Sequence, residues 1–170
     1  MSKYAFKWGL IGGSMIAFWN ILDYFLLYQT FLSKLTFLMN VVLLFLTLYF
    51  GIKEIKINYY HKQITFANAG LAGIVITIFL AFTLSGITFV YRNIENSGYE
   101  NHVIQQTEKA IVNLKKLKEL KQTIKEVKAS FDPWRQAQSS FFITLIFGIV
   151  LSFILAIVLK SKTINIESFN

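Results

Sequence analysis

Residues 41–50 read VVLLFLTLYF, an apolar and aromatic run broken only by Thr47. A helix through them has no polar face at 3.6-residue spacing, so it cannot be the outer helix of a water-soluble bundle. A bilayer-crossing helix needs about 20 mostly apolar residues. The chain supplies four such stretches, at about 5–28, 35–52, 66–91 and 141–159. The first is interrupted only by Lys7, Ser14, Asn20 and Asp23. It is too long for the apolar core of a signal peptide, and no small-x-small cleavage site follows, so it is expected to be retained. The expectation is an all-α polytopic membrane protein with four transmembrane helices in a single membrane domain, 1–170.

Composition agrees. Hydrophobic residues make up 55% of the chain, 17 of them phenylalanine, and charged residues only 15%, against roughly a quarter in soluble domains. That excludes a disordered chain. Cysteine is absent, which removes disulfide scaffolds, thiolate metal sites and cysteine nucleophiles. The formal charge of +8 would suit nucleic acid, but the basic residues flank apolar runs, the arrangement that meets anionic headgroups. Membrane lipids are the expected partners, and nucleic acid is not.

Four spans place both termini and the middle connection on one side. That side carries seven cations: Lys3, Lys7, Lys53, Lys56, Lys62, Lys160 and Lys162. Close to the spans on the other side stand Lys34, Arg92, Lys128 and Arg135. Short-loop cations prefer the cytoplasm, so the termini are expected there. Counting the whole third connection reverses the vote, ten against seven; the near-span count governs because distant charges weigh little.

The connection 92–140 holds most of the charge, including seven lysines between Lys109 and Lys128. From about 102 to 131, apolar residues fall at Val103, Ala110, Ile111, Leu114, Leu117, Leu120, Ile124, Val127 and Phe131. Gaps of three and four predict an amphipathic helix with one narrow stripe. Lys115 with Glu119 and Lys121 with Lys125 are spaced i,i+4, one pair attractive and one repulsive, so the stripe and not charge pairing explains the helix. Asp132 is placed to cap the next helix, with Pro133 in its first turn and Trp134 at the headgroup boundary. The stripe could lie on the bilayer, pair with a second copy or cover a partner; a surface helix shielding its own span ends is the simplest reading.

Ionisable groups inside a span are functional candidates because each costs about 2.5–3.5 kcal/mol at mid-bilayer. Asp23 lies about 7–8 Å inside the outer end of the first span. Asn20 is one turn deeper, Asn40 matches Asp23 in depth on the antiparallel second span, and Ser85 and Thr88 fall at comparable depths on the third. These five form a candidate polar cluster. The structural alternative is an interhelical hydrogen-bond clamp of about 0.6–2 kcal/mol per contact, favoured because no cation lies within the spans to partner Asp23. Small residues at four-residue spacing, Gly9 and Gly13, Ala69 and Gly73, and Gly148, Ser152 and Ala156, predict close helix packing, within the chain or between copies.

Nothing else carries chemistry. His61 and His102 fall in different connections with no companion at metal-ligand spacing, so both are expected to be solvated and no metal site is expected. Gly9-Leu10-Ile11-Gly12-Gly13 lacks the lysine and strand of a phosphate-cradling loop. No Ser/His/Asp order or carboxylate pair emerges, so no enzyme and no cofactor is expected.

Gly51-Ile52-Lys53, then Ile64-Thr65-Phe66 with Ala69 and Gly73, together with the opening Trp8-Gly9-Leu10-Ile11-Gly12-Gly13, the lysine-rich third connection and the final run from Pro133 to Lys160, form a recurring pattern. The chain resembles, over almost its whole length, the four-span bacterial membrane family known as domain of unknown function 4199, found mainly in Bacteroidota. The resemblance implies an inner-membrane location and a four-helix layout, and it implies no activity. The chain departs from the family at His61-Lys62-Gln63, where glycine is frequent, which questions the geometry of that turn. Within the shared motif, Thr65 is placed to cap a helix with Asn68 at its third position.

Two functions follow. The first is a non-enzymatic accessory or scaffold protein packing on itself, as a homo-oligomer, or on another membrane protein. The alternative is a small transporter or lipid- or ligand-binding protein using the cluster around Asp23. Transporters usually show internal repeats and broken helices; with neither evident and no proline inside a span, the accessory role leads.

Overall fold

The computed structural model describes residues 1–94, 96–113 and 117–161, the side chains of 110–122 excepted. It consists of helices, with no strand among the described residues. Helix α1 (Ser2–Leu22) continues into a π-helical turn (Asp23–Leu27), and a 3₁₀ turn (Phe31–Leu35) leads into α2 (Thr36–Asn58). Then come α3 (Phe66–Arg92), α4 (Ser97–Asn113), α5 (Leu117–Ser130) and α6 (Pro133–Leu159). Four helical segments are long and apolar enough to cross a membrane: Ser2–Leu27, Phe31–Asn58, Phe66–Arg92 and Pro133–Leu159.

One boundary differs from the sequence expectation, that of the helix in the third connection. The apolar part of the fourth span was expected over 141–159, and its helix begins ahead of that, at Pro133. The Asp132 carboxylate caps it, accepting from Trp134 N (2.7 Å) and Arg135 N (3.4 Å), as its place before Pro133 predicts. The polar residues between the cap and Phe141 stay helical because α3 supports them: Ala137 is buried, and its carbonyl accepts from Ser85 Oγ at 2.9 Å. The helix expected over 102–131 begins at Ser97, and two helices, α4 and α5, cover the connection. The Asn96 side chain gives the early start, accepting from Tyr99 N. Leu114, Lys115 and Lys162 lie outside the described residues, and of Ala110, Ile111, Leu117, Glu119, Leu120 and Lys121 the backbone alone is described.

The packing is inverted relative to a soluble bundle. The core of α1 is Ala5, Gly9, Gly12, Gly13, Ile16 and Ala17, while Phe6, Leu10 and Phe18 point outward. Phe82 on α3 and Phe142 on α6 are likewise exposed, at 63% and 57%. Small residues inside and large apolar residues outside is the pattern of helices that approach closely and face lipid. The small-residue faces are all used within the chain. A Cβ on Gly9 would collide with Phe79 and one on Gly13 would sit 2.7 Å from Thr83, so α1 lies directly on α3. A Cβ on Gly73 would be 2.5 Å from Ser152 Oγ, and one on Gly148 would strike Thr77, which seats α6 on the other side of α3. Ala69 and Ala156 are fully buried beside them. The buried hydroxyls cost little because they bond their own helix, Thr77 to Gly73 O and Ser152 to Gly148 O. Helix α3 is thus central; α2 packs more sparsely on its neighbours.

The termini meet at one end. Ser161 N donates to Ile64 O and Ser161 Oγ accepts from Ile64 N, both at 2.9 Å. Lys56 Nζ donates to Leu159 O at 2.8 Å, placing a cation on the last carbonyls of α6. Thr65 caps α3, accepting from Asn68 N at 3.3 Å. The turn before it answers the missing glycine: His61 (φ 49°) and Lys62 (φ 71°) both adopt left-handed backbone, fixed by Lys62 N donating to Lys56 O at 2.8 Å. Left-handed backbone costs a non-glycine residue roughly 1–2 kcal/mol. Lys62→Gly is therefore expected to raise thermal stability by up to about 1 kcal/mol; an unchanged or lower melting temperature would show the turn to be unstrained.

Candidate ligand site at the far end of the bundle

At the end remote from the termini, α1 changes hand-hold. Its last residues form a π turn that begins at Asp23, a single-turn widening that recurs at functional positions. One turn before it, Asn20 Oδ1 accepts from Asn40 Nδ2 of α2 at 2.9 Å. Of the remaining polar atoms there, the Thr36 hydroxyl is set against the Asp23 carboxylate, while Asn40 Oδ1 and, at the end of α3, Arg92 Nε and Nη1 are buried with no hydrogen-bond partner among the described residues. Each such atom costs about 1–3 kcal/mol in a protein interior. The structure joins Asn20 to Asn40 and sets Asp23 beside them. It does not bring in the other two members of the expected cluster: Ser85 is bonded to Ala137 O of α6, and Thr88 is buried with an unpartnered hydroxyl away from both cavities described next. Depth counted from span ends carries no information about rotation, and rotation about α3 turns Ser85 to α6.

Two cavities stack along this end. The inner one, about 300 Å³, lies between α1, α2 and α6, walled by Ile16, Val41, Leu44 and Leu84 and crossed by the Asn20 and Asn40 side chains. Its rim carries Phe37, Ile143 and Phe147, all exposed, so it opens sideways on the apolar perimeter. Deeper in, Gly12 against Thr47 brings α1 and α2 into contact and closes it. The outer cavity, about 440 Å³, is polar: Asp23, Gln29, Ser33, Lys34, His102 and Gln106 border it, with the rings of Tyr28 and Tyr99. Both volumes suit small ligands, whose pockets span about 300–1,000 Å³.

Helix α4 roofs the outer cavity. His102 is half-buried, contrary to the expectation of a solvated ring: its ring stands 5.5 Å from that of Tyr28, and its Nε2 is 2.8 Å from Gln106 Nε2. His61 is exposed. Among the described residues no group of three His, Cys, Asp or Glu could hold a metal.

Sequence reasoning missed Arg92, treating it only as a charge beside the third span. Its guanidinium lies 4.2 Å from the ring centre of Tyr24, 5.1 Å from Tyr99 and 5.3 Å from Tyr91. Tyr24 and Tyr99 are themselves 4.8 Å apart, Tyr24 Oη donates to Ile94 O at 3.2 Å, and Asn96 Nδ2 donates to Tyr24 O. The cage fastens α4 to the ends of α1 and α3, and Arg92 acts electrostatically on the Asp23 carboxylate. The signal available was the cluster of tyrosines at the span ends, an aromatic belt with a partner the sequence does not bring near.

A family model described as "Protein of unknown function (DUF4199)" matches residues 7–161. The chain belongs to this family. No curated protein and no solved structure matches it. The match to DUF4199 takes in α1 from Lys7 and every later helix through the Ser161 clamp, so both stacked cavities and the Arg92 cage lie inside the family region.

Proposed function

We propose that the protein is a non-enzymatic membrane protein that binds a lipid in the cleft between α1, α2 and α6. One observation carries this reading: a cavity open to the apolar perimeter is lined by Asn40, whose Oδ1 has no hydrogen-bond partner among the described residues. The reading is non-enzymatic because the hydroxyls at the outer cavity are engaged with backbone, Thr30 Oγ1 donating to Leu27 O and Ser33 Oγ to Tyr28 O, and His102 pairs with Gln106. No nucleophile–base pair stands among these residues. We place it in the bacterial inner membrane with cytoplasmic termini, on the near-span cation count, with the lysine-rich α4–α5 connection as an amphipathic cover at the opposite surface.

A second reading, a scaffold packing on itself or on another membrane protein, draws on the outward aliphatic face of α6, where Ile146, Val150, Ile157 and Val158 are all exposed. The small-residue faces no longer support it, since they are used between α1, α3 and α6.

Native mass spectrometry in mild detergent separates the two. The wild-type chain is expected as a monomer carrying one phospholipid. The double substitution Val41→Phe with Ser140→Phe, at two residues that line the cleft, fills it and should reduce lipid retention about tenfold. A lipid-free wild type, or equal retention by the filled variant, removes the lipid-binding reading; a stable dimer favours the scaffold.

A further inference from the structure

The inner cavity carries a donor set of its own. Ser140 and Thr144 line it one turn apart on α6, and Asn20 lines it from α1. Asn20 Oδ1 is taken by Asn40, which leaves its Nδ2 free. That amide nitrogen and the two hydroxyls form no hydrogen bond with the described residues, and all three atoms stay accessible. An amide nitrogen only donates, and a hydroxyl can do either. Acceptors on a ligand therefore satisfy all three, whereas donors satisfy two at most. No charged residue lines this cavity, and its walls of Ile16, Val41, Leu44 and Leu84 would penalise a carboxylate or phosphate brought among them. The acceptor that suits the site is a neutral carbonyl oxygen.

Level along the bilayer says which carbonyl. Ser140 stands directly ahead of the apolar run 141–159, which at 1.5 Å per residue is about 28 Å long, close to the thickness of the hydrocarbon layer. Ser140 thus marks the hydrocarbon edge, with Thr144 about 6 Å below it. The glycerol esters of a diacyl phospholipid sit at that same edge, and the cavity opens sideways toward them past Phe37, Ile143 and Phe147. Resting on the lipid-binding reading, we propose that the cleft recognises the acyl ester of a phospholipid. The ester carbonyls accept from Ser140 Oγ, Thr144 Oγ1 and Asn20 Nδ2, and one acyl chain lies along Ile16, Val41 and Leu44. An ether-linked lipid lacks those carbonyls and leaves the donors unpaired inside an apolar cavity.

The full-length protein, purified in mild detergent, is offered equal amounts of two choline phospholipids of the same chain length, one ester-linked and one ether-linked. Native mass spectrometry reads the lipid retained. Ester lipid is expected to exceed ether lipid about tenfold, the effect of about two ordinary hydrogen bonds. Ser140→Ala with Thr144→Val keeps the apolar walls and should bring ester retention down to the ether level. A wild-type protein that holds a lipid without preference, or prefers the ether form, overturns the carbonyl assignment and leaves the cleft reading standing. A double variant that keeps the ester preference does the same. A wild-type protein that holds no lipid overturns both. The wild-type competition needs no variant, so a poorly folding substitution does not blunt the test.

Discussion

Gly9→Ala should destabilise the protein by about 1–3 kcal/mol, although it adds a single methyl group. The methyl would collide with Phe79 Cβ and lie 2.9 Å from Leu80 N and 3.0 Å from Phe79 C. Two of those three obstacles are backbone, which cannot turn aside as a side chain does. The only relief is a wider separation of α1 from α3, and that also loosens Gly13 against Thr83. Gly86 on α3 provides the control, since a Cβ there meets nothing within 4 Å. Gly86→Ala should be neutral or stabilising by up to about 1 kcal/mol through helix propensity. Thermal unfolding of the solubilised protein, followed by the fluorescence of its three tryptophans, reads both signs. Equal effects of the two substitutions would mean that α1 does not lie on α3 at Gly9.

Arg92→Ala should release α4 from the bundle end while leaving the four long helices in place. The guanidinium faces three tyrosine rings, with the nearest centre at 4.2 Å, and each such contact contributes about 0.5–2 kcal/mol depending on desolvation. Removing all three should cost about 2 kcal/mol of local docking energy, or some thirtyfold more frequent opening. Hydrogen exchange in residues 97–109 is expected to quicken accordingly, with exchange in α3 and α6 below Leu84 unchanged. Arg92→Lys keeps the charge but not the planar face, so it should fall between the two. Unaltered exchange in α4 would show that Tyr24–Tyr99 stacking alone secures it.

The four long helices were legible because a bilayer leaves the backbone no other choice. Any chain segment without water must satisfy its own amides, so residues 41–50 could only be read one way. The start of α6 was legible from its cap and not from its hydropathy. Hydropathy marks where oil begins, at Phe141, whereas the helix begins where Asp132 caps it and where Ser85 grips Ala137. The connection was read as one helix from its stripe, and the structure begins it five residues earlier because Asn96 caps the turn. The site divided along the same line. Counting residues from span ends gave Asn40 the height of Asp23, whereas the structure bonds it to Asn20, one turn deeper. Height says nothing of rotation, which is why Ser85 turned toward α6 instead. The small-residue stripes were visible as packing faces, but only coordinates show that their partners are α3 residues of the same chain. The Arg92 cage joins positions 24, 91, 92 and 99 through space, and no spacing rule connects the first to the rest.

The central position of α3 has one more consequence. With α1 and α6 clamped to it by close backbone approach, rigidity is concentrated in three of the four helices. Helix α2 meets that slab at both ends: Gly12 faces Thr47, Gly51 faces Trp8 and Ile76, and Glu54 accepts from Lys7 and Trp8, whereas toward residue 36 the Asn20–Asn40 hydrogen bond and the Phe37–Phe147 ring contact hold it. The second set is the thinner, so loosening of the bundle should start at that end and spare the slab.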